Sequence, residues 1–291
     1  MIITCIPAFN EERTIADIVK KSLDYTEKVI VCDDGSTDKT AEIARKNGAI
    51  VIKHSKNQGY GSAIISLFEM ARQENADIMI TLDGDGQHSP NQIPQLIDVM
   101  TEHNVDVVIG SRFLDKKLNS LGYRKHGIKI ITSTLNYGTD FKVTDSQSGF
   151  RAYSKRAIDA IHPTEDGMSV STEILFKISN KGLSIAEVPI SVVYDGTKSR
   201  QNPISHGLSV LMNTIKFVSV KHPIVFYGIP GIILIIIGII FGLIFLDTYL
   251  NTQAIFYGSL LAAVTLFLLG AILVATAIIL FSMANLMKHR A

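Results

Sequence analysis

The sequence predicts an α/β domain with a mostly parallel sheet, followed by an amphipathic helix and two membrane-spanning helices. Short apolar runs alternate with segments of helical periodicity up to about residue 110, which is typical of a parallel sheet covered on both faces. From Ile224 to Met287 the only charged residue is Asp247, and each side of it exceeds the roughly 20 apolar residues that span a bilayer. We therefore expect a cytosolic domain over 1–200, an interface helix over 201–222 and a membrane anchor over 223–291.

Five apolar runs without helical periodicity predict the strands of the sheet. Each run ends in a polar or glycine-rich turn, and the first is expected to stop at Pro7, because proline interrupts strand pairing. The predicted strands are Met1–Ile6, Lys28–Cys32, Ala49–Lys53, Asp77–Leu82 and Val105–Gly110.

Amphipathic segments between these runs predict the helices. In the first segment Ile15, Ile18 and Val19 fall on one helical face. A later segment, Pro203–Val220, has an apolar face opposed by Lys216, which suits a helix lying at a membrane surface. The other predicted helices are Thr14–Tyr25, Lys39–Asn47, Gly61–Gln73 and Pro90–Glu102, and the predicted spans are Ile224–Leu246 and Ala254–Ala284.

Polar clusters follow the first, second and fourth predicted strands. They are residues 10–12, residues 33–38 and the DGDGQ sequence of residues 83–87. Because the carboxyl ends of parallel strands share one edge of the sheet, we expect the clusters to converge there. Asp83 and Asp85, separated by a glycine, suit a hard divalent cation. Each cluster also has a local explanation: complementing a helix dipole, capping a helix, or forming a turn.

Charge and composition limit the partners and the location of the chain. The net charge is +1 and no basic stripe with interleaved aromatic residues is present, so we expect no nucleic-acid partner. The N-terminus lacks the features of a signal peptide. Lysines precede the first span, basic residues 288–290 follow the second, and the loop 247–253 has neither Lys nor Arg, which predicts that both termini are cytoplasmic. Cys5 and Cys32 are expected to be core residues without a disulfide.

Several motifs resemble those of the family 2 inverting glycosyltransferases, and among them the polyprenyl-phosphate (dolichol-phosphate type) mannosyl- and glucosyltransferases. In order they are PAFNEE, VCDDGSTDKT, NQGYGSA, LDGDGQH, GSRF, SGFRAY and VSTEILFK, within Met1–Asp195. The resemblance implies the A-type, Rossmann-like glycosyltransferase fold. It also implies transfer of a sugar, with inversion, from a GDP-mannose or UDP-glucose type donor to dolichyl or undecaprenyl phosphate at the cytosolic membrane face.

The resemblance also implies roles for individual residues. Asp85 and Arg112 would be catalytic, and either Asp33 or Asp34 would bind the base of the nucleotide. The metal, Mg²⁺ or Mn²⁺, would be held by Asp83, Asp85 and Gln87. The nucleotide-binding set is Pro7, Ala8, Asn10, Glu11, Asp33, Asp34, Gly61 and Asp83, and the acceptor-phosphate set is Arg112, Arg124, Lys129, Ser133 and Arg200. Arg151 is expected to brace the fold, and Arg124 could instead be a solvated helix charge.

A phosphate acceptor changes what catalysis requires. A phosphate monoester is largely ionised near pH 7, because its second pKa is about 6, so no general base is demanded. Family members that glycosylate hydroxyls tend to carry a Glu-Asp pair, and the segment DGMSVSTE contains none. Glu173 of this segment could be functional or structural.

Two alternatives stay open: a membrane glycosyltransferase with a hydroxyl acceptor, and a non-catalytic nucleotide-sugar-binding scaffold. Gly238 and Gly242 also fit a small-residue motif, which suggests a homo-oligomer.

Overall fold

A computed structural model describes residues 1–114, 122–192 and 203–288. The chain divides into two compact units, Met1–Thr214 and Ile215–Ala291.

The first unit is built on a seven-stranded sheet in the order β3-β2-β1-β4-β6-β5-β7. Neighbouring strands are parallel except for β6, which runs antiparallel to both β4 and β5. The predicted mostly parallel sheet is therefore confirmed. The strands are β1 Ile2–Ala8, β2 Lys28–Asp33, β3 Ile50–Lys53, β4 Ile78–Thr81, β5 Val107–Ser111, β6 Arg151–Ser154 and β7 Ile185–Pro189.

Helices connect these strands, and those predicted from the sequence are present. The fourth predicted helix begins as a 3₁₀ turn, Pro90–Gln92, and continues as α4. Cys5 and Cys32 lie in buried strands and are free thiols, as expected. The helices are α1 Ile15–Leu23, α2 Thr40–Lys46, α3 Tyr60–Gln73, α4 Ile93–Glu102, α5 Gly122–Gly138, α6 Lys155–Ala160, α7 Val170–Asn180 and α8 Pro203–Lys221.

The first strand does not stop at Pro7, contrary to the sequence prediction. It continues to Ala8, and Pro7 lies in register with Cys32 of β2. Pairing of β1 with β4 ends earlier, at Cys5 and Thr81. The N–H that proline lacks therefore removes no ladder hydrogen bond on the β4 side, and the strand tolerates the residue.

The strand order reverses at β1, which lies between β2 and β4. In open α/β sheets ligands bind in the crevice outside the carboxyl ends of the strands at such a reversal. The polar clusters after β1, β2 and β4 thus follow three adjacent strands at one sheet edge. This position makes the edge the candidate site.

The second unit contains two long apolar helices. A π-helical turn, Ile224–Gly228, leads into α9, Ile229–Thr252, and α10 covers Tyr257–Lys288. The segments Ile224–Thr252 and Tyr257–Met283 are long and apolar enough to cross a membrane, so the two spans expected from the sequence are present as helices. Many of their Ile and Leu side chains are exposed, which suits contact with lipid.

Glycines let these two helices approach closely within one chain. A Cβ on Gly231 would lie 2.8 Å from the carbonyl oxygen of Gly270, and one on Gly238 would lie 2.8 Å from the backbone nitrogen of Phe267. Small residues of this kind allow helix backbones to pack together in lipid. Packing within the chain therefore accounts for Gly238, and the motif no longer motivates a homo-oligomer.

Candidate active site

Hydrogen bonds connect the loops that follow β1, β2 and β4. The hydroxyl of Thr14 donates to the carbonyl of Gly84 over 2.6 Å, and the N–H of Asn10 donates to the hydroxyl of Ser36 over 2.8 Å. A Cβ on Gly84 would lie 3.1 Å from the carbonyl oxygen of Pro7, so the loop after β4 packs closely against β1. The three predicted clusters thus come together at the sheet edge.

Polar residues of the loop after β1 form hydrogen bonds with the loop that follows β2. Asn10 has a positive φ of 58°, and its side-chain oxygen accepts from the N–H of Thr37 at 2.9 Å. The N–H of Glu11 donates to the hydroxyl of Thr40, which begins α2. Pro7 and Ala8 are buried at the end of β1. These contacts give the PAFNEE residues a structural role, and their predicted contact with a nucleotide stays a prediction.

The two aspartates after β2 have different surroundings. Asp34 is buried and accepts the N–H groups of Gln58 and Gly59, both at 2.9 Å. Asp33 is fully buried, accepts the N–H of Ser36 through Oδ1, and leaves Oδ2 without a hydrogen bond. The ammonium of Lys53 lies 3.9 Å from that oxygen. Asp34 therefore secures the segment that leads into α3, whereas Asp33 is paired more loosely.

Asp83 and Asp85 lie in the turn after β4, and burial raises the pKa of both carboxyl groups. The negative charge of Asp83 raises the pKa of Asp85 further, while the N–H of Gln87 donates to Asp85 at 2.9 Å. Two carboxylates that repel one another in a partly buried place are stabilised by a divalent cation, and hard cations take carboxylate and amide oxygens. The donor set Asp83, Asp85 and Gln87 therefore fits Mg²⁺ or Mn²⁺. Within the described ranges no three Asp, Glu, His or Cys side chains group as a metal site, and the amide oxygen of Gln87 stays the third ligand that the sequence predicts.

Two residues that the sequence analysis left out fix the Asp83 carboxylate. The buried hydroxyl of Tyr60 lies 3.1 Å from Asp83 Oδ1. Burial and the charge of Asp83 hold the pKa of Tyr60 well above its usual value, so the hydroxyl keeps its proton and donates. On the other side, a Cβ on Gly149 would lie 2.5 Å from Asp83 Oδ2. The glycine of SGFRAY thus makes room for this carboxylate.

His88 is a further buried group beside these carboxylates. Its ring lies 5.6 Å from that of Phe150, and its Nδ1 has no hydrogen-bond partner. Burial lowers the pKa of His88 to about 4, and the positive charge of Arg112 contributes, so the ring is neutral near pH 7. The sequence analysis assigned it no role, although it stands in the LDGDGQH motif.

Arg112 directly follows β5 and forms a two-point ion pair with Asp145. Its Nε lies 2.6 Å from Asp145 Oδ2 and its Nη2 lies 2.8 Å from Oδ1. The carboxylate is fully buried, and the Arg112 side chain is 13% exposed. Glu187 of β7 accepts the N–H groups of Thr144 and Asp145, which holds the loop in place. Arg112 is therefore rigid, and a nearby carboxylate compensates its charge.

Arg151 and Glu173 are structural in this fold. The guanidinium of Arg151 is buried and donates to the carbonyls of Ser146, Ser148 and Ser171, so the expectation that it braces the fold is confirmed. Glu173 accepts from the backbone N–H and the hydroxyl of Thr164. Burial alone would raise the pKa of Glu173, but these bonds and that from Lys177 outweigh burial and lower the pKa.

The structure describes only part of the predicted acceptor set. Lys129 and Ser133 are exposed and lie four residues apart on α5, hence on one face of the helix. Arg200 lies outside the described residues, as does the side chain of Arg124. The grouping of these residues around a phosphate stays a prediction.

The sequence analysis overlooked a Glu-Asp pair directly at the segment DGMSVSTE: Glu165 precedes its first residue, Asp166. The carbonyl of Asp166 accepts the N–H of Gly61 at 2.8 Å, and its exposed side chain lies 3.3 Å from the hydroxyl of Ser62. A Cβ on Gly61 would lie 1.9 Å from the carbonyl oxygen of Glu165. Gly61 thus serves close packing, and its predicted nucleotide contact stays a prediction. The chain therefore does carry a Glu-Asp pair, and the prediction of a phosphate acceptor from its absence is wrong.

Residues 4–161 match the model of glycosyl transferase family 2. The chain belongs to that family. This family 2 glycosyltransferase is 33% identical, over 224 residues, to UDP-N-acetylglucosamine–dolichyl-phosphate N-acetylglucosaminyltransferase of Methanococcus voltae, covering 67% of this chain and 86% of that protein. It is 29% identical, over 204 residues, to undecaprenyl-phosphate mannosyltransferase of Micrococcus luteus, covering 66% of this chain and 83% of that protein. The resemblance in the motifs is confirmed, and an enzyme is favoured over a non-catalytic scaffold.

The fold also matches a solved glycosyltransferase. Glucosyl-3-phosphoglycerate synthase of Mycobacterium tuberculosis, solved with Mn²⁺ and UDP-glucose, aligns with a TM-score of 0.59 at 21% identity, covering 76% of this chain and 78% of that chain. At this identity the comparison supports the shared fold. The expected glycosyltransferase architecture of the first unit is therefore confirmed.

Proposed function

We propose that this family 2 glycosyltransferase transfers a sugar from a nucleoside-diphosphate sugar to a polyprenyl phosphate at the cytosolic face of a membrane. The observation that carries the proposal is the convergence of the polar loops after β1, β2 and β4, with two aspartates in the last of them. The named acceptors of the relatives, dolichyl phosphate and undecaprenyl phosphate, support the lipid.

In this proposal the nucleotide-sugar donor binds at the carboxyl end of β1, between the loops that follow β2 and β4. Asp33 or Asp34 would accept an N–H of the base, and Asp83, Asp85 and Gln87 would hold Mg²⁺ or Mn²⁺. A cation held there would supply Lewis-acid chemistry, by neutralising charge that develops on the departing nucleoside diphosphate. The Mn²⁺ and UDP-glucose in the solved synthase of similar fold support a divalent metal. The named relatives transfer different sugars, so the donor sugar is left to experiment.

An oxygen of the acceptor phosphate is the nucleophile. Its oxygen forms a bond to C1 of the sugar on the face opposite the leaving diphosphate, and the electrons of the broken C1–O bond leave with the nucleoside diphosphate. Because the phosphate is ionised near pH 7, this step needs no proton acceptor. A single displacement of this kind inverts the configuration at C1.

Arg112 binds the acceptor phosphate in this proposal, together with Arg124, Lys129, Ser133 and Arg200. Asp145 takes two of the five guanidinium N–H donors and fixes the plane of the group. Because the pair is nearly neutral overall, Arg112 would act through directed hydrogen bonds to phosphate oxygens more than through net charge. Arg112 directly follows β5, and its charge partly offsets the rise that burial causes in the pKa of Asp83, which supports a place near the site.

The two apolar helices anchor the enzyme where its lipid acceptor resides. Both termini are placed in the cytoplasm, since basic residues flank the pair of spans and the loop between them has none. Residues 201–222 would lie at the membrane surface. Labelling of single cysteines introduced near Gln253 and near residue 290 with an impermeant thiol reagent tests this topology, because only the former should react from outside.

A reconstituted transfer assay tests the proposed function. Full-length enzyme in liposomes is supplied with a short-chain polyprenyl phosphate, Mg²⁺ or Mn²⁺, and a panel of labelled UDP- and GDP-sugars. We expect a lipid-extractable product from one donor, loss of product with chelator, and loss of product for Asp85→Ala. Product formed at the normal rate by Asp85→Ala would refute the metal site.

The second candidate is transfer to a hydroxyl acceptor, and the Glu165-Asp166 pair favours it. The carbonyl of Asp166 lies against Gly61 at the start of α3, and its carboxylate is exposed. A hydroxyl acceptor requires a general base, which contributes about 10²–10⁴-fold. If the acceptor is a hydroxyl, Asp166→Asn should lower the transfer rate by that factor. If the acceptor is a phosphate, the same substitution should cause almost no loss of activity.

A further inference from the structure

A buried histidine links Asp34 to helix α3. The side chain of His54, just after β3, is 10% exposed, and its Nδ1 lies 2.7 Å from Asp34 Oδ1. Its other ring nitrogen, Nε2, lies 3.0 Å from the hydroxyl of Ser66 on α3. The thiol sulfur of Cys32 lies 3.6 Å from the same nitrogen. None of these contacts has been used in the proposed reaction.

The partners of the ring fix where its proton lies. An ionised carboxylate only accepts hydrogen bonds, so Nδ1 carries a proton and donates it to Asp34. In the neutral ring Nε2 then accepts from the hydroxyl of Ser66. The N–H of Nδ1 therefore points at Asp34, and the hydrogen bond from Ser66 to Nε2 orients the ring from the opposite side.

Groups of the protein itself occupy most of the hydrogen-bond acceptor positions of the Asp34 carboxylate. Its Oδ1 accepts from His54 and from the N–H of Gln58, and its Oδ2 accepts from the N–H of Gly59. A carboxylate has about four lone-pair positions, so one position remains, and it lies on Oδ2. The residue after Gly59 is Tyr60, which donates to Asp83.

We propose that His54 is a positioning residue for donor binding. Its Nδ1–H holds the Asp34 carboxylate in the orientation in which Oδ2 accepts an N–H from the base of a nucleoside diphosphate. By fixing Asp34 it also fixes the segment Gln58–Tyr60, which connects the base side of the site to Asp83. The inference rests on the proposed function and assigns the base contact to Asp34 instead of Asp33.

The same distances match a Ser-His-Asp hydrolase triad, but the position of Ser66 argues against a nucleophile. Ser66 lies in the interior of α3, where backbone N–H groups are used in the hydrogen bonds of the helix. A hydrolase needs such donors beside its nucleophile to stabilise an oxyanion. A positioning role requires only the contacts of the ring with Asp34 and Ser66.

Two amide substitutions separate the contacts of the ring. In His54→Asn the amide nitrogen takes the place of Nδ1 and can still donate to Asp34. In His54→Gln the longer amide reaches the place of Nε2 near Ser66 and gives up Asp34. Binding of UDP and of GDP to full-length enzyme with Mg²⁺ is measured by calorimetry, and KM for the donor and kcat are measured by transfer.

We expect His54→Gln to raise the Kd for the preferred nucleoside diphosphate, and the donor KM, on the order of tenfold, because a hydrogen bond to a charged group is lost. Its kcat at saturating donor should stay within about twofold, and His54→Asn, which keeps the hydrogen bond to Asp34, should stay close to wild type in all three constants. Equal defects in His54→Asn and His54→Gln would overturn the inference, as would an unchanged Kd in His54→Gln. If wild-type enzyme binds neither UDP nor GDP, the proposed function itself fails; wild-type binding with an unchanged Kd in His54→Gln refutes only the role of His54.

Discussion

Substitution of Gly149 by alanine tests whether the Asp83 carboxylate must keep its place. The added Cβ would lie 2.5 Å from Asp83 Oδ2 and 2.7 Å from Oδ1, whereas ordinary contacts begin near 3.4 Å. One of the two groups must therefore move by roughly 1 Å, and interiors packed to crystal density have little space for it. The aspartate side chain is short, so its displacement carries the carboxylate away from the position set by Tyr60.

A displacement of about 1 Å at a reacting centre can reduce activity by about 10²-fold. Changes in the shell around a metal ligand typically weaken metal binding by about 10- to 100-fold. For Gly149→Ala we expect both losses, measured by titration with Mn²⁺ followed by electron paramagnetic resonance and by the initial rate of transfer. Gly167→Ala is the matched control, because a Cβ there meets no atom within 4 Å.

The control variant should stay within about twofold of wild type in both measurements, since an exposed site without contacts tolerates an added methyl group. If Gly149→Ala also binds Mn²⁺ and turns over within twofold of wild type, Asp83 does not hold the metal or its position is unimportant. Thermal unfolding of both variants shows whether the fold is intact.

Three further predictions follow from other contacts. Tyr60→Phe removes the hydrogen bond to Asp83 without adding volume, so the Kd for Mn²⁺ should rise by about tenfold, and an unchanged Kd would contradict the assigned contact. Asp145→Ala removes the buried carboxylate that pairs with Arg112 and should lower the free energy of unfolding by about 3–5 kcal/mol in a denaturant titration. Lys21→Ala, in an exposed pair, should lower it by only about 0.5 kcal/mol. Asp166→Asn should keep transfer to a polyprenyl phosphate within about threefold in the liposome assay, because an ionised acceptor needs no base; a loss of 10²-fold or more would indicate a general base.

The early part of the fold could be predicted from sequence because its elements follow simple periodic patterns. Alternating apolar runs gave the strands up to Val107–Ser111 to within two residues, and β1 differs only because Pro7 does not end it. The antiparallel β6 was not predicted. Its four residues, RAYS at Arg151–Ser154, are not an apolar run like those of the equally short β3 and β4. They insert between β4 and β5 through contacts that no local pattern encodes.

Site residues that belong to a recognisable sequence motif could be predicted. Site residues that depend on contacts between distant segments could not. Asp83 and Asp85 stand out in LDGDGQH, whereas the Tyr60 hydroxyl reaches Asp83 across 23 residues and Asp145 reaches Arg112 across 33. The packing role of Gly149 likewise becomes visible only when Asp83 is placed beside it. The Glu165-Asp166 pair was visible in the sequence, and a slightly longer window would have included it.

The central claim is that the acceptor is a lipid phosphate, and paired acceptors test it most directly. A polyprenyl phosphate and the free polyprenol of the same chain length are supplied separately to the full-length enzyme in liposomes, with the active donor and Mg²⁺. The account predicts a sugar-phosphate lipid from the first and no product from the second. Product from the free alcohol, or product from an added sugar acceptor in place of either lipid, would contradict it.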